Sequence, residues 1–129
     1  MNRSDWVADA SAILASLKSE PITNIDPDLL VGALISSVNL SEVVQKLIAD
    51  GIGENHVEEA VSSLDLRVIP FDHRQAVAAA RLWAHTRTAG LSLADRACIG
   101  LGIGTGLPVV TADRVWASLD LGVDVILIR

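Results

Sequence analysis

Short apolar runs alternate with longer helical segments along the 129 residues, and this alternation constrains the fold more than any other feature. Runs of strand character occupy residues 6–8, 33–38, 66–69, 108–111 and 124–128, with one or two segments of helical pattern between most of them. Strands that alternate with helices form mainly parallel sheets flanked by helical layers. The sequence therefore predicts an α/β fold. A chain of this length builds one core, so we expect a single domain over residues 1–129.

Capping residues predict where several helices begin and end. Asp26 before Pro27 favours a short helix that ends near Gly32. Three further segments begin with a side-chain acceptor followed three residues later by an acid or glutamine, which is the capping-box spacing. They are Asn39 with Glu42, opening a helix to Ala49; Asp72 with Gln75, opening a helix to about Thr86; and Ser92 with Asp95, opening a helix closed by Gly106.

The composition is acidic and unusually apolar. Half of the residues are hydrophobic, the mean hydropathy is +0.43 and the formal net charge is −6. The overall charge does not favour direct nucleic-acid binding, although a bound cation can reverse the field in one cleft. With Cys98 as the single cysteine, no internal disulfide can form, and we expect this thiol to be buried and the protein to be cytoplasmic. The uncharged run at residues 97–112 is interrupted by glycines and is too short to span a membrane.

Four acids stand where one predicted element passes into the next. Asp9 and Asp113 follow strands, and Glu42 and Asp95 fall near the starts of helices. In a parallel sheet these positions can meet at the carboxyl edge of the strands, where ligands bind in folds of this type. Clustered carboxylates repel one another unless a cation lies between them, and hard oxygen ligands suit Mg²⁺ or Mn²⁺. The sequence therefore predicts a metal site for phosphodiester chemistry at Asp9, Glu42, Asp95 and Asp113.

Other polar residues near these acids have supporting roles in this hypothesis. Ser11, Asn39 and Thr111 are placed to orient carboxylates or waters. Arg96 and Arg114 each follow a proposed ligand directly, and either a phosphate clamp or structural ion pairs with the acids and surface carboxylates would explain them.

Each acid also has a purely structural explanation. Glu42 and Asp95 can be helix-capping acids, and Asp9 and Asp113 can be turn residues. Only the joint pattern favours a site.

Several alternatives are weaker. No histidine has zinc-ligand spacing to another, and no serine or cysteine nucleophile has a histidine partner that the sequence identifies. The glycines of residues 100–106 come after a helix and before a strand, which is the reverse of a dinucleotide fingerprint. Trp6 and Trp83 are assigned to packing, whereas Trp116 either stacks on a base or belongs to the core or an interface.

Five segments together resemble the PIN domain, and in particular the VapC-type toxins of bacterial toxin–antitoxin pairs. They are Asp9-Ala10-Ser11, Ile35-Ser36-Ser37-Val38-Asn39-Leu40-Ser41-Glu42-Val43, Pro70-Phe71-Asp72, Leu91-Ser92-Leu93-Ala94-Asp95-Arg96 and Leu107-Pro108-Val109-Val110-Thr111-Ala112-Asp113-Arg114. The resemblance covers nearly the whole chain. The glycines at 100, 102 and 104 depart from the family pattern, and we expect them to soften the end of their helix.

The resemblance implies a PIN-like α/β domain with Mg²⁺- or Mn²⁺-dependent endoribonuclease activity. It places Asp9, Glu42, Asp95 and Asp113 in the catalytic metal site, with Ser11, Asn39 and Thr111 as helpers. It further implies an RNA substrate, a homodimer, inhibition by a VapB-like antitoxin, and operator DNA binding only through the antitoxin complex, with no membrane partner. A catalytically weak interaction module on the same fold is the alternative.

Overall fold

The computed structural model describes residues 5–129, which form a five-stranded sheet with helices on both faces. The strands are β1 (Val7–Ala8), β2 (Leu34–Ser36), β3 (Arg67–Ile69), β4 (Val109–Thr111) and β5 (Val125–Leu127). The helices are α1 (Ala10–Leu17), α2 (Ser37–Ala49), α3 (Glu54–Ser62), α4 (His73–Arg81), α5 (Trp83–Thr86) and α6 (Leu93–Thr105), with 3-10 helices at Pro27–Leu30, Arg87–Ala89 and Arg114–Ser118.

All neighbouring strands are parallel, in the order β3-β2-β1-β4-β5, which confirms the predicted α/β class. The chain first builds outward from β1 through β2 to β3 and then crosses to the other side of β1 with β4 and β5. The strand order therefore reverses between β1 and β4. Open parallel sheets form their binding crevice at such a switch point, outside the carboxyl ends of the strands.

The core lies on both faces of this sheet because successive strand residues point to opposite sides. Ala8 and Ile35 pack with α1, α2 and α3, whereas Val7 and Leu34 pack with α6 and the wholly buried Trp116. Burial on two faces explains why the three central strands β1, β2 and β4 have continuous apolar runs rather than alternating ones. The prediction that Trp116 belongs to the core is confirmed, and Cys98 is buried as expected.

The glycines of α6 permit close packing. A Cβ built on Gly102 would lie 2.5 Å from Val109 Cγ1 and 3.2 Å from the Leu107 carbonyl oxygen. Gly100 lies against Ala78 and Ala79 of α4, so α4 and α6 approach closely there. The helix continues to Thr105 and ends at Gly106, whose φ of 70° is left-handed, as the predicted C-cap requires.

The start of α2 differs from the prediction. The Ser36 hydroxyl accepts the Val38 N–H, so the helix begins at Ser37 as soon as β2 ends. The predicted strand end at residue 38 and the capping box of Asn39 with Glu42 are therefore wrong. Asn39 lies at the third position of α2 and Glu42 at the sixth. Capping consequently does not explain Glu42.

The predicted helix from Asp72 to Thr86 is interrupted at Leu82, between α4 and α5. Asp72 caps α4 by accepting the Gln75 N–H, as predicted. Trp83, however, is 51% exposed, so its assignment to packing is wrong. The Arg87 guanidinium lies 5.2 Å from the Trp83 ring centroid and covers part of the ring instead.

Within residues 5–129 no helix has both the length and the apolar character needed to cross a membrane.

Candidate metal centre at the sheet switch point

Asp9 is the most deeply placed acid of the predicted site. It follows β1 directly, and only 4% of its surface is exposed. Its side chain does not cap α1, although Asp9 occupies the N-cap position. Instead its Oδ2 accepts hydrogen bonds from Ser11 Oγ at 2.7 Å and Thr111 Oγ1 at 2.9 Å. The turn-residue explanation is therefore insufficient for Asp9, because two hydroxyls converge on its carboxylate.

The two hydroxyls are themselves fixed by the backbone that follows β4. Ser11 Oγ accepts the Ala112 N–H at 2.9 Å, and Thr111 Oγ1 accepts the Asp113 N–H at 3.0 Å. Each hydroxyl has one proton, which it donates to Asp9, while its lone pairs take up the backbone donors. This network holds the ends of β1 and β4 together, which is where the strand order reverses.

The pKa of Asp9 is raised from 3.8 to about 6. Burial is the largest cause, and the hydrogen bonds from Ser11 and Thr111 offset part of it. The negative charges of Asp95 and Glu42 raise the pKa further. Asp95 and Glu42 come from different helices, so their effect on Asp9 shows that the fold brings three of the four predicted acids into one electrostatic environment.

This raised pKa predicts a specific dependence of stability on pH in the absence of divalent cations. The folded state binds the Asp9 proton more tightly than the unfolded state, so this group stabilises the fold below pH 4. The contribution is lost as the pH rises from about 4 through 6, and its full size is about 3 kcal/mol. Urea unfolding in EDTA at pH 4 and pH 7.5 measures it, with D9N as the reference. The free energy of unfolding of the wild type should fall relative to D9N across this range, and parallel pH profiles would contradict the prediction.

The other three acids each use one carboxylate oxygen for a structural contact. Asp95 Oδ2 accepts the Ser92 N–H in a complete capping box, and Asp113 Oδ1 accepts the Val115 N–H in the turn after β4. Glu42 Oε2 lies 3.7 Å from Lys46 Nζ. The predicted structural roles of Asp95 as a capping acid and Asp113 as a turn residue are therefore correct for one oxygen of each carboxylate. Sequence reasoning missed Lys46, although its spacing of four from Glu42 is a signal for such a pair.

The second oxygen of each of the four carboxylates accepts no hydrogen bond from residues 5–129. These all-oxygen donors are the type that Mg²⁺ and Mn²⁺ prefer, so the residues fit such an ion chemically. As the side chains are placed, no three acids, histidines or cysteines within the described part of the chain are close enough to share an ion. A cation bound by several of them therefore requires side-chain movement.

Asn39 joins the helix of Glu42 to the helix of Asp95. It is wholly buried, and its Nδ2 donates to the Ala94 carbonyl at 2.9 Å. Its Oδ1 is buried without a hydrogen-bond partner in residues 5–129. A buried acceptor without a donor costs free energy, so this oxygen is available to a water or to another donor in the site. The carbonyl of Ala94 is a partner that sequence reasoning did not identify.

The two arginines do not pair with the acids. Arg96 Nη1 donates to the Ala79 carbonyl at 3.0 Å and so links α6 to α4. Arg114 is exposed and forms no salt bridge with any residue in the described range. The ion-pair explanation is therefore wrong for both, while the phosphate-clamp hypothesis stays a prediction.

Comparison with known proteins gives consistent matches. The family model described as the PIN domain matches residues 7–121. Among solved structures, the chain is similar to VapBC from Salmonella typhimurium bound to DNA (20% identity, TM-score 0.74, covering 95% of this chain and 97% of that one). It is also similar to VapBC2 from Rickettsia felis bound to a promoter DNA fragment (15% identity, TM-score 0.73, covering 95% of this chain and 97% of that one). A third similar structure is VapBC-5 from Mycobacterium tuberculosis (23% identity, TM-score 0.62, covering 98% of each chain). No curated protein sequence matches significantly.

Proposed function

Since this chain belongs to the PIN domain family, we propose that it is a Mg²⁺- or Mn²⁺-dependent endoribonuclease that acts as the toxin of a toxin–antitoxin pair. One observation carries the proposal. The buried Asp9 carboxylate, held by Ser11 and Thr111, lies at the switch point of the sheet within electrostatic reach of Asp95 and Glu42. A buried group that is desolvated and surrounded by like charge is typical of a functional site.

In this proposal Asp9, Glu42, Asp95 and Asp113 hold the ion. When bound, the ion supplies a Lewis acid for a phosphate oxygen and activates the attacking water. Ser11 and Thr111 keep Asp9 oriented, since both donate to Oδ2 and leave Oδ1 for the ion. The capping box fixes Asp95 at the start of α6.

Two further groups have roles toward the substrate and its water. Asn39 orients a water through its unpartnered Oδ1. Arg114, which is exposed, and Arg96 bind the phosphate of the RNA.

The proposal includes a protein partner. The three similar structures are described as VapBC, and two of them as bound to DNA. By analogy, a VapB-like antitoxin inhibits this chain by placing a basic group in the acidic cleft. The chain forms a homodimer, and operator DNA is bound through the antitoxin because this chain carries a net charge of −6.

A cleavage assay tests the enzymatic part. The purified chain is incubated with an end-labelled single-stranded RNA in Mg²⁺, in Mn²⁺ and in EDTA. We expect fragments in either metal and none in EDTA. Expression in a bacterial host should arrest growth, and co-expression of a small DNA-binding protein encoded next to this chain should restore it. Cleavage that proceeds equally in EDTA would overturn the metal dependence.

The alternative is a PIN-fold interaction module with little cleavage. It is favoured by the absence, in the described residues, of three acids already placed around one ion. Calorimetric titration with Mn²⁺ separates the two hypotheses, because an interaction module needs no divalent ion whereas the proposed nuclease does.

A further inference from the structure

A basic strip crosses this acidic protein, formed by α4, α5 and the 3-10 helix Arg87–Ala89. No aspartate or glutamate occurs between Asp72 and Asp95, whereas Arg74, Arg81 and Arg87 all fall in this interval. All three arginines are exposed. The strip is therefore positive in a chain whose net charge is −6.

The arginines of the basic strip are not neutralised within the protein. Among residues 5–129, none of the three takes part in a salt bridge. The lysines and arginines that do form salt bridges all lie outside the strip, namely Lys18, Lys46, Arg67 and Arg129. Their partners are acids from the rest of the chain. The three arginines therefore present positive charge that no salt bridge neutralises, although the exposed acid Asp120 lines a cavity with Leu82 and His85 on one side of the strip.

The basic strip also carries an exposed aromatic ring. Trp83 is 51% exposed, and the Arg87 guanidinium lies 5.2 Å from its ring centroid. Exposed rings beside cations stack on the bases of single-stranded nucleic acids, because every base offers a π-face. A strip that binds phosphates alone needs no such ring.

The strip begins at the edge of the sheet where the acids lie. α4 starts just after β3, and α6 starts with Asp95 in its first turn. Ala78 and Ala79 contact Gly100, and Arg81 and His85 further along line a cavity with Ile103 and Gly104. The two helices therefore run in the same direction, and the nine residues of α4 extend about 13 Å away from that edge.

We propose that the basic strip binds the single-stranded RNA that the acidic site cleaves. Arg74 and Arg81 contact backbone phosphates, Trp83 stacks on a base with the part of its ring that Arg87 leaves exposed, and Arg87 contacts the phosphate beside that base. That this RNA is also the substrate rests on the proposed function, which is RNA cleavage at the acidic site. The physical reason is that, when no cation is bound, the clustered carboxylates repel the phosphate backbone, so that a positive surface outside the acidic site has to supply much of the affinity for RNA.

The test is fluorescence anisotropy with a labelled 12-nucleotide uridine oligomer in EDTA, so that binding is measured without cleavage. The variants are the double substitution R81Q/R87Q, W83A and W83F. K18Q is the control, because it removes one charge at the end of α1, which packs in the core cluster on the other sheet face from Leu82 and Ala89 of the strip. Lys18 is paired with Asp50, so this variant reports the effect of a lost charge outside the strip. Circular dichroism and the thermal midpoint establish that each variant is folded.

We expect R81Q/R87Q to weaken binding about 10-fold and to reduce the slope of log affinity against log salt by about 1.4, which corresponds to two phosphate contacts on a single strand. W83A should weaken binding about 10-fold with little change in slope, and W83F should recover most of that loss. K18Q should bind nearly as the wild type does.

Affinities of R81Q/R87Q and W83A equal to that of the wild type would overturn the proposal. So would a change in oligomeric mass by light scattering without a change in RNA affinity, because the strip would then be a protein contact. The two proposals fail separately. If the strip variants lose binding but the wild type does not cleave RNA in Mn²⁺, the strip stands and the nuclease proposal falls. If the wild type cleaves RNA and the strip variants bind it normally, the nuclease proposal stands and the strip proposal falls.

Discussion

Substitution of Asp9 by asparagine is expected to reduce metal-dependent RNA cleavage by about 100-fold or more. Asparagine keeps the size of the side chain and can still accept the hydrogen bonds of Ser11 and Thr111. It removes the negative charge that the proposed ion requires. The cost falls on catalysis rather than on folding, because the buried charge of Asp9 is unfavourable at neutral pH. The initial rate of cleavage of a labelled RNA in Mn²⁺, for D9N and the wild type, measures the effect.

Asp120 provides the matched control, since it is exposed and lies near the C-terminal end of α6, at the opposite end of that helix from Asp95. D120N removes the same charge and should leave the cleavage rate within about two-fold of the wild type, because exposed charges more than a Debye length apart are largely screened. If D9N cleaves as fast as D120N, the carboxylate of Asp9 is not part of the active site.

Substitution of Gly102 by alanine is expected to destabilise the fold by about 2 kcal/mol. The added Cβ would lie 2.5 Å from Val109 Cγ1 and 3.1 Å from Val123 Cγ2, and both valines are held by β-strand or loop packing. Val109 is wholly buried, and a valine has few rotamers with which to move aside. α6 would therefore have to move away from β4, which would disturb the core around Val109.

Gly104 is the control for this effect, because it belongs to the same helix and a Cβ there meets no atom within 4 Å. G104A should stabilise the helix by up to about 1 kcal/mol, since alanine has the higher helix propensity. Urea unfolding of both variants gives the comparison. Equal free energies of unfolding for G102A and G104A would show that the close approach of α6 to β4 is not required.

Local chemistry in the sequence was sufficient for most element boundaries. Asp26, Asp72 and Ser92 cap helices as their spacing predicts, and Gly106 ends α6 in a left-handed conformation. These signals act within a few residues, so they can be read without the fold. The predicted Asn39 cap was wrong because α2 begins earlier, with Ser36 as its N-cap. Serine and asparagine cap helices about equally well, so residue type alone does not distinguish them.

The interruption between α4 and α5 could not be predicted from local pattern. Neither a proline nor a glycine lies between Asp72 and Thr86. The Ala79 carbonyl accepts a hydrogen bond from Arg96, which is distant in sequence. A contact of this kind depends on which helices become neighbours, so it is decided by tertiary structure rather than by local propensity. The contact of Arg87 with Trp83, by contrast, joins residues only four apart in the chain.

The sequence alone determined the α/β class, the parallel tendency of the strands and the positions of Asp9, Asp95 and Asp113 at element ends, because hydrophobic periodicity and capping are local properties. Glu42 is the exception, since it lies at the sixth position of α2 rather than at its start. Tertiary structure decided which oxygens meet. The crossing of the chain from β3 to β4 places the Thr111 hydroxyl 2.9 Å from the Asp9 carboxylate, across a separation of 102 residues. It also decided the burial that raises the pKa of Asp9 to about 6, since desolvation depends on the whole surrounding fold rather than on neighbours in the chain.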